Sequence, residues 1–227
     1  MTWVKICGIT NLEDALVAVE AGADAVGFVF HEKSPRCVSV ETAREIVEKL
    51  PEKVEKVGVF VDADCEQIRT IVADAKLTAV QLHGGHSGES FYQDARPAAE
   101  CVGTSKVVGF ASADSLVDAT GISIRKEVRQ RLFAILVDQH KNGQSGGTGK
   151  KFDWEATQEM VRALSLMLPV IVAGGLNASN VKSAIEILEP FGVDVASGVE
   201  ARPGKKDLEK VRAFVRAVRE CDRKSPR

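Results

Sequence analysis

Eight short apolar runs recur along the chain, and they restrict its fold more than any other feature. They lie at residues 3–9, 25–30, 56–61, 79–84, 106–110, 133–138, 170–175 and 194–199. Most are rich in Val, Ile or Phe and do not alternate with polar residues, the pattern of strands buried on both faces of a parallel sheet. Parallel neighbours need crossover connections, and amphipathic helical patterns fill the intervals. These patterns run over 12–20, 40–50, 64–75, 88–99, 122–131, 153–167, 178–189 and 205–221. Asn11 stands before the first as an N-cap and Gly22 after it as a C-cap, while Thr148, Asp153 and Asn177 stand near later helix starts. Eight strand–helix units predict an α/β fold, a single closed (β/α)8 TIM barrel in compact form. An open doubly wound sheet would carry a G-x-G-x-x-G turn after its first strand, where Cys7-Gly8-Ile9-Thr10-Asn11 stands instead. No Pro/Gly/Ser linker divides the chain. One barrel domain over 1–221 and a polar C-terminal tail over 222–227 are therefore expected. Residues 85–131 are placed by spacing only.

Composition narrows the partners. An apolar fraction of 44% and a charged fraction of 27% are those of a soluble globular protein. A chain of 227 residues can bury roughly 70% of its unfolded surface, so it needs neither disulfides nor a metal to fold. A net charge of −2 gives no electrostatic reason to expect nucleic acid or membrane. Five cysteines without CxxC spacing fit a reducing compartment and argue against zinc. The N-terminus lacks a signal-peptide core, and no apolar run approaches the roughly 18 residues of a membrane span. A cytoplasmic, monomeric protein is expected.

In a (β/α)8 barrel the active site lies at the C-terminal ends of the strands. Reactive or glycine-rich groups stand at six of those eight ends: Cys7-Gly8, Ser34-Pro35-Arg36, Gln81-Leu82-His83-Gly84, Asp138, Ala173-Gly174-Gly175 and Ala196-Ser197-Gly198-Val199-Glu200. Gly146-Gly147-Thr148-Gly149-Lys150 follows Asp138 and resembles a P-loop, but the spacing fails. Gln144 stands where the first glycine should be, and Lys151 replaces the hydroxyl residue. Phosphate in such barrels is commonly gripped by the loops after strands seven and eight. Gly174, Gly175, Ser197 and Gly198 suit that task, with Gly146 and Gly147 closing over the same side. Cys7 taken alone is more often a packing residue, and Asp138 alone a cap or ion-pair partner. Together, on strands one and six, they suit a base and an acid on opposite faces of a sugar phosphate. Cysteine needs a lowered pKa for that role, from a helix N-terminus or nearby cations. Arg36 offers a planar fork for a carboxylate or second phosphate, and His83 a further polar wall.

These motifs, with Lys5-Ile6-Cys7-Gly8-Ile9-Thr10 at one end and Pro203-Gly204-Lys205-Lys206-Asp207 at the other, resemble the phosphoribosylanthranilate isomerase family. The resemblance runs in order from the first strand to the last helix. It implies an Amadori rearrangement in tryptophan biosynthesis, converting N-(5-phosphoribosyl)anthranilate to an open-chain aminoketose phosphate. It further implies Asp138 as general acid, Cys7 as general base, Arg36 as partner of the anthranilate carboxylate, a phosphate grip at Gly174, Gly175, Ser197 and Gly198, and no metal or organic cofactor. Two departures stand out: Ala196 replaces a serine common in the family, and Cys37 an aromatic residue. The alternatives are a histidine-pathway barrel isomerase, which would rely on two aspartates where this chain has Cys7, and a silent metabolite-binding barrel, which would have lost Cys7 or Asp138.

Overall fold

The computed structural model describes residues 1–83, 106–112, 130, 132–138 and 154–224. The strands are β1 (Trp3–Cys7), β2 (Ala25–Val29), β3 (Glu55–Val61), β4 (Ala79–His83), β5 (Lys106–Ser112), β6 (Leu132–Asp138), β7 (Val170–Val172) and β8 (Gly192–Val195). They close in sequence order into a barrel, with β8 paired in parallel to β1. All eight apolar runs of the sequence are therefore strands. The described helices are α1 (Leu12–Ala21), α2 (Val40–Val47), α3 (Cys65–Asp74), α4 (Trp154–Ser165), α5 (Val181–Leu188) and α6 (Leu208–Lys224). The helices expected at 88–99 and 122–131 lie outside the described residues.

Alternation along each strand divides the apolar residues between two spaces. Val4, Ile6, Val26, Phe28, Val193 and Val195 face outward and join helix residues such as Ala15, Phe214 and Val218 in the main core. The inward face carries Ala25, Val57 and Ala79 near the floor, then Val108, Ala134, Leu136 and Ile171, and finally Cys7, Val29 and Val59 toward the mouth. Trp3, Phe133 and Phe191 form an aromatic cluster at the floor, with ring centroids 5.9 to 6.4 Å apart. Helix α6 shows how the outer layer is written in sequence: Val211, Phe214, Val215, Val218 and Cys221 recur at helical spacing and are all buried.

The structure departs from the sequence reading where loops leave the mouth. Strands β7 and β8 stop at Val172 and Val195, short of the expected 175 and 199. Gly174 and Gly175 turn the chain at φ of 94° and 64°, and Ser197–Val199 winds into a 3₁₀ turn. Helix α5 starts at Val181, not 178, because the Asn177 side chain accepts bonds from the Ser179 amide and hydroxyl in a preceding turn. Residues 205–206 belong not to the last helix but to β10 (Lys205–Lys206), which pairs antiparallel with β9 (Glu200–Arg202). Helix α6 then starts beyond Asp207, whose carboxylate accepts from the Glu209 and Lys210 amides. The helix continues to Lys224, so the tail expected from 222 is helical at its start. Asp222 there accepts bonds from the Thr2 amide (2.9 Å) and hydroxyl (2.8 Å). Cys65 is disulfide-bonded while Cys7, Cys37 and Cys221 are free, so the thiols are not uniform. No helix among the described residues is long and apolar enough to cross a membrane.

Candidate active site

Cys7 ends β1 on the inward face, 7% exposed, against Val29, Val59 and Ala196. After it the chain turns sharply. Gly8 takes a φ of 77°, and the Gly8 and Ile9 amides both donate to the Gly27 carbonyl at 2.9 Å. The Arg36 stem lies across this turn, so close that a Cβ on Gly8 would stand 2.6 Å from Arg36 Cδ. Glycine is required there by both the backbone angle and the arginine.

Arg36 is not an open fork. Its Nε donates to Glu200 Oε1 at 2.7 Å and its Nη2 to Glu200 Oε2 at 2.8 Å, leaving Nη1 as the nitrogen outside this pairing. Glu200 also accepts from Lys206 Nζ (3.2 Å) and the Gly204 amide (3.3 Å). Burial opposes the Glu200 charge, but Arg36 and Lys206 outweigh it and hold the carboxyl below the usual range. The hairpin of β9 and β10 is thereby locked to the loop after β2. Gly204 packs on the Pro35 carbonyl, and its own carbonyl accepts from the Thr10 hydroxyl. Three mouth loops, those after β1, β2 and β8, are thus joined into one wall.

A second wall is made by the glycine loops. A Cβ on Gly198 would fall 1.8 Å from the Leu176 carbonyl oxygen, so the 3₁₀ turn after β8 packs backbone to backbone on the loop after β7. A Cβ on Gly175 would meet nothing within 4 Å, and Ser197 is exposed. Lys206 Nζ donates to the Ala196 carbonyl at 3.1 Å, tying this turn to the Glu200 cluster.

Asp138 ends β6 in register with Ser112 of β5 and is partly buried. Its parity with Ala134 and Leu136 puts it on the inward face. The Ala173 amide donates to the Val137 carbonyl beside it, so the β7 loop starts next to Asp138. His83 ends β4 opposite Val61, but its side chain lies outside the described residues, as do Gly146 and Gly147.

The electrostatics of Cys7 differ from expectation. Burial pushes the thiol above its ordinary value, although the Lys5 and Lys206 ammoniums pull the other way and Asp194 adds to the rise. Lys5, 1% exposed, lies two residues before Cys7 on the same strand face. Its Nζ donates to Gln81 Oε1 at 2.9 Å and Asp194 Oδ1 at 3.0 Å. Burial alone would pull Lys5 down, but Asp194 and Cys7 more than offset it, and the ammonium is held above its ordinary value. Sequence reasoning gave no role to Lys5, Asp194, Gln81, Glu200 or Lys206. A usable signal was present: Lys5 and Asp194 are opposite charges inside otherwise apolar strands, where an unpaired charge is not tolerated.

Known proteins share this sequence pattern and fold. Residues 4–217 match the family model described as N-(5'phosphoribosyl)anthranilate (PRA) isomerase. The N-(5'-phosphoribosyl)anthranilate isomerase of Thermotoga petrophila is 44% identical over 95% of this chain and 98% of its own length. The crystal structure of phosphoribosyl anthranilate isomerase from Thermotoga maritima has a TM-score of 0.82 and 41% identity over 97% of this chain and 100% of that one. That organism's enzyme is also described as dimeric. A further isomerase structure, in complex with reduced 1-(o-carboxyphenylamino)-1-deoxyribulose 5-phosphate, has a TM-score of 0.75 and 39% identity over 97% of this chain and 100% of that one. The chain belongs to the N-(5'-phosphoribosyl)anthranilate isomerase family.

Proposed function

We propose that Cys7 and Asp138 carry the family's isomerisation in this chain as general base and general acid. The protein is an isomerase of the tryptophan pathway. The Asp138 carboxyl gives its proton to the ribose ring oxygen as the C1′–O bond breaks, with the anthranilate nitrogen supplying the electron pair that forms a Schiff base. Cys7 takes the C2′ proton, and the electrons of that C–H bond neutralise the Schiff base to an enolamine. Proton loss from the C2′ hydroxyl and proton gain at C1′ then give the ketone. The substrate is internally oxidised at C2′ and reduced at C1′, so the sum is an isomerisation without an external oxidant.

Arg36 is assigned to the anthranilate carboxylate, through the Nη1 nitrogen that Glu200 leaves outside its pairing. The amides of Gly174, Gly175 and Gly198 and the Ser197 hydroxyl are assigned to the phosphate, with His83, Gly146 and Gly147 as further substrate contacts. The observation that carries this reading is the docking of the β8 turn on one side against Leu176 and on the other against Cys7, which sets base and phosphate loops side by side. The barrel is further assigned to the cytoplasm and to a monomeric state.

Genetic complementation tests the whole assignment. The wild-type chain should restore growth without tryptophan to a host lacking the isomerase, while Cys7→Ala and Asp138→Asn should not. Growth with either variant at comparable expression would sink the role given to that residue.

A further inference from the structure

A thiolate on a buried strand is poorly solvated, so a cysteine base needs a partner that favours its charged form. The side chain that meets Cys7 from beneath is Lys5. Gly27 on β2 leaves the space for both: a Cβ there would lie 2.8 Å from Cys7 Sγ and 3.1 Å from Lys5 Cε. The Lys5 ammonium has three protons. One goes to Gln81 on β4 and one to Asp194 on β8, which fixes the nitrogen between strands on two sides of the barrel. The third is the one left over, and the shared space at Gly27 sets the Lys5 stem beside the Cys7 sulfur.

We infer that Lys5 is a positioning residue for the base: held by Gln81 and Asp194, it aims an ammonium proton at Cys7 Sγ and stabilises the thiolate that abstracts the substrate proton. The inference rests on Cys7 being the base. Among the described residues, four charged groups act on Cys7. Lys5 on β1 and Lys206 on β10 favour the thiolate, Asp194 on β8 opposes it, and Arg36 of the loop after β2 interacts with it. A Lys–Asp pair that served only to hold the barrel together would have no need of the thiol. Such buried pairs are also often replaceable by apolar residues without loss of stability.

The test uses Lys5→Met, Asp194→Asn and the double variant, with two measurements across pH. One is the alkylation rate of Cys7 by iodoacetamide, followed on its own peptide by mass spectrometry. The other is kcat/KM. Lys5→Met should shift both profiles to higher pH by about one unit, a tenfold slower alkylation at a given pH on the rising limb. Asp194→Asn, which removes the opposing charge, should shift both to lower pH. The double variant leaves no unpaired buried carboxylate and stays shifted upward, because the ammonium beside the sulfur is gone. Unmoved alkylation profiles in the variants that fold, or a loss of activity equal at every pH, overturn the inference. Failure of the base assignment itself looks different: the alkylation profile would move while Cys7→Ala kept its turnover.

Discussion

The chemistry of the mouth is set by how individual charges are held. Glu200 faces two cations, Arg36 and Lys206, and is 8% exposed, so its charge orients both. Replacing it by Gln keeps the shape and removes the charge, which should free the Arg36 guanidinium to wander. We expect Glu200→Gln to raise KM about tenfold, the worth of one charge-assisted hydrogen bond, with a smaller change in kcat. Steady-state kinetics check this, and unchanged KM would show that Arg36 does not need Glu200 to meet substrate. Cys7 and Asp138 end apolar runs and Arg36 lies in the loop after one, where a barrel displays its reactive groups, so the sequence alone nominates them as candidates. Glu200 was visible within a motif, but its partner was not, since 164 residues separate it from Arg36. The direction of the Cys7 pKa was not legible either. It depends on how fully β2, β3 and the 196–198 turn enclose the sulfur, and burial there outweighs the cations.

At the level of elements, the loops after β7 and β8 act as one piece. Gly198 has no room for a side chain against Leu176, so Gly198→Ala must push the two loops apart. Overpacking of this kind costs about 1–3 kcal/mol, and here it falls on the loops we assign to the phosphate. The variant should therefore show a lower thermal midpoint and a raised KM together. A rise in neither would mean that the loops move independently. The strands of this pair were readable from their Val and Ile content, but their ends were not. Ala173 prolongs the apolar run of β7 and Ala196 that of β8, while the positive φ of Gly174 and Gly175 ends the first ladder and the 3₁₀ turn at Ser197–Val199 the second. Likewise Lys205 and Lys206 read as the start of a helix, because short hairpin strands carry too few residues to display a period. Asp207 marks the true start of α6 by accepting the Glu209 and Lys210 amides, a signal that the sequence did contain.

Across the molecule, the barrel closes twice, once by strand pairing of β8 to β1 and once by a clasp on its outside. Arg219 of α6 donates to the Thr2 and Gly22 carbonyls and to Asp24, while Asp222 receives the Thr2 amide and hydroxyl. Burial opposes the Asp222 charge, but the Thr2 bonds and Arg219 outweigh it and hold the carboxyl below its usual value. Asp222→Ala leaves the Thr2 amide without its acceptor and should cost about 1–3 kcal/mol, read as a lower midpoint in denaturant with catalysis preserved. An unchanged midpoint would return this segment to the polar tail that its composition suggested. The closed barrel itself was the most legible feature of the chain, since eight buried parallel strands in this length have few other ways to cover their edges. The account centres on a buried thiol serving as the base, and the pH dependence of kcat/KM for N-(5'-phosphoribosyl)anthranilate tests it most directly. Because burial raises Cys7, thiolate accumulates only as pH climbs, so the profile should rise through and beyond the ordinary thiol range of about 8.5. Cys7→Ala should lose that limb and run about 10² to 10⁴ times slower. A Cys7→Ala variant that keeps the limb at near wild-type rate would contradict the account.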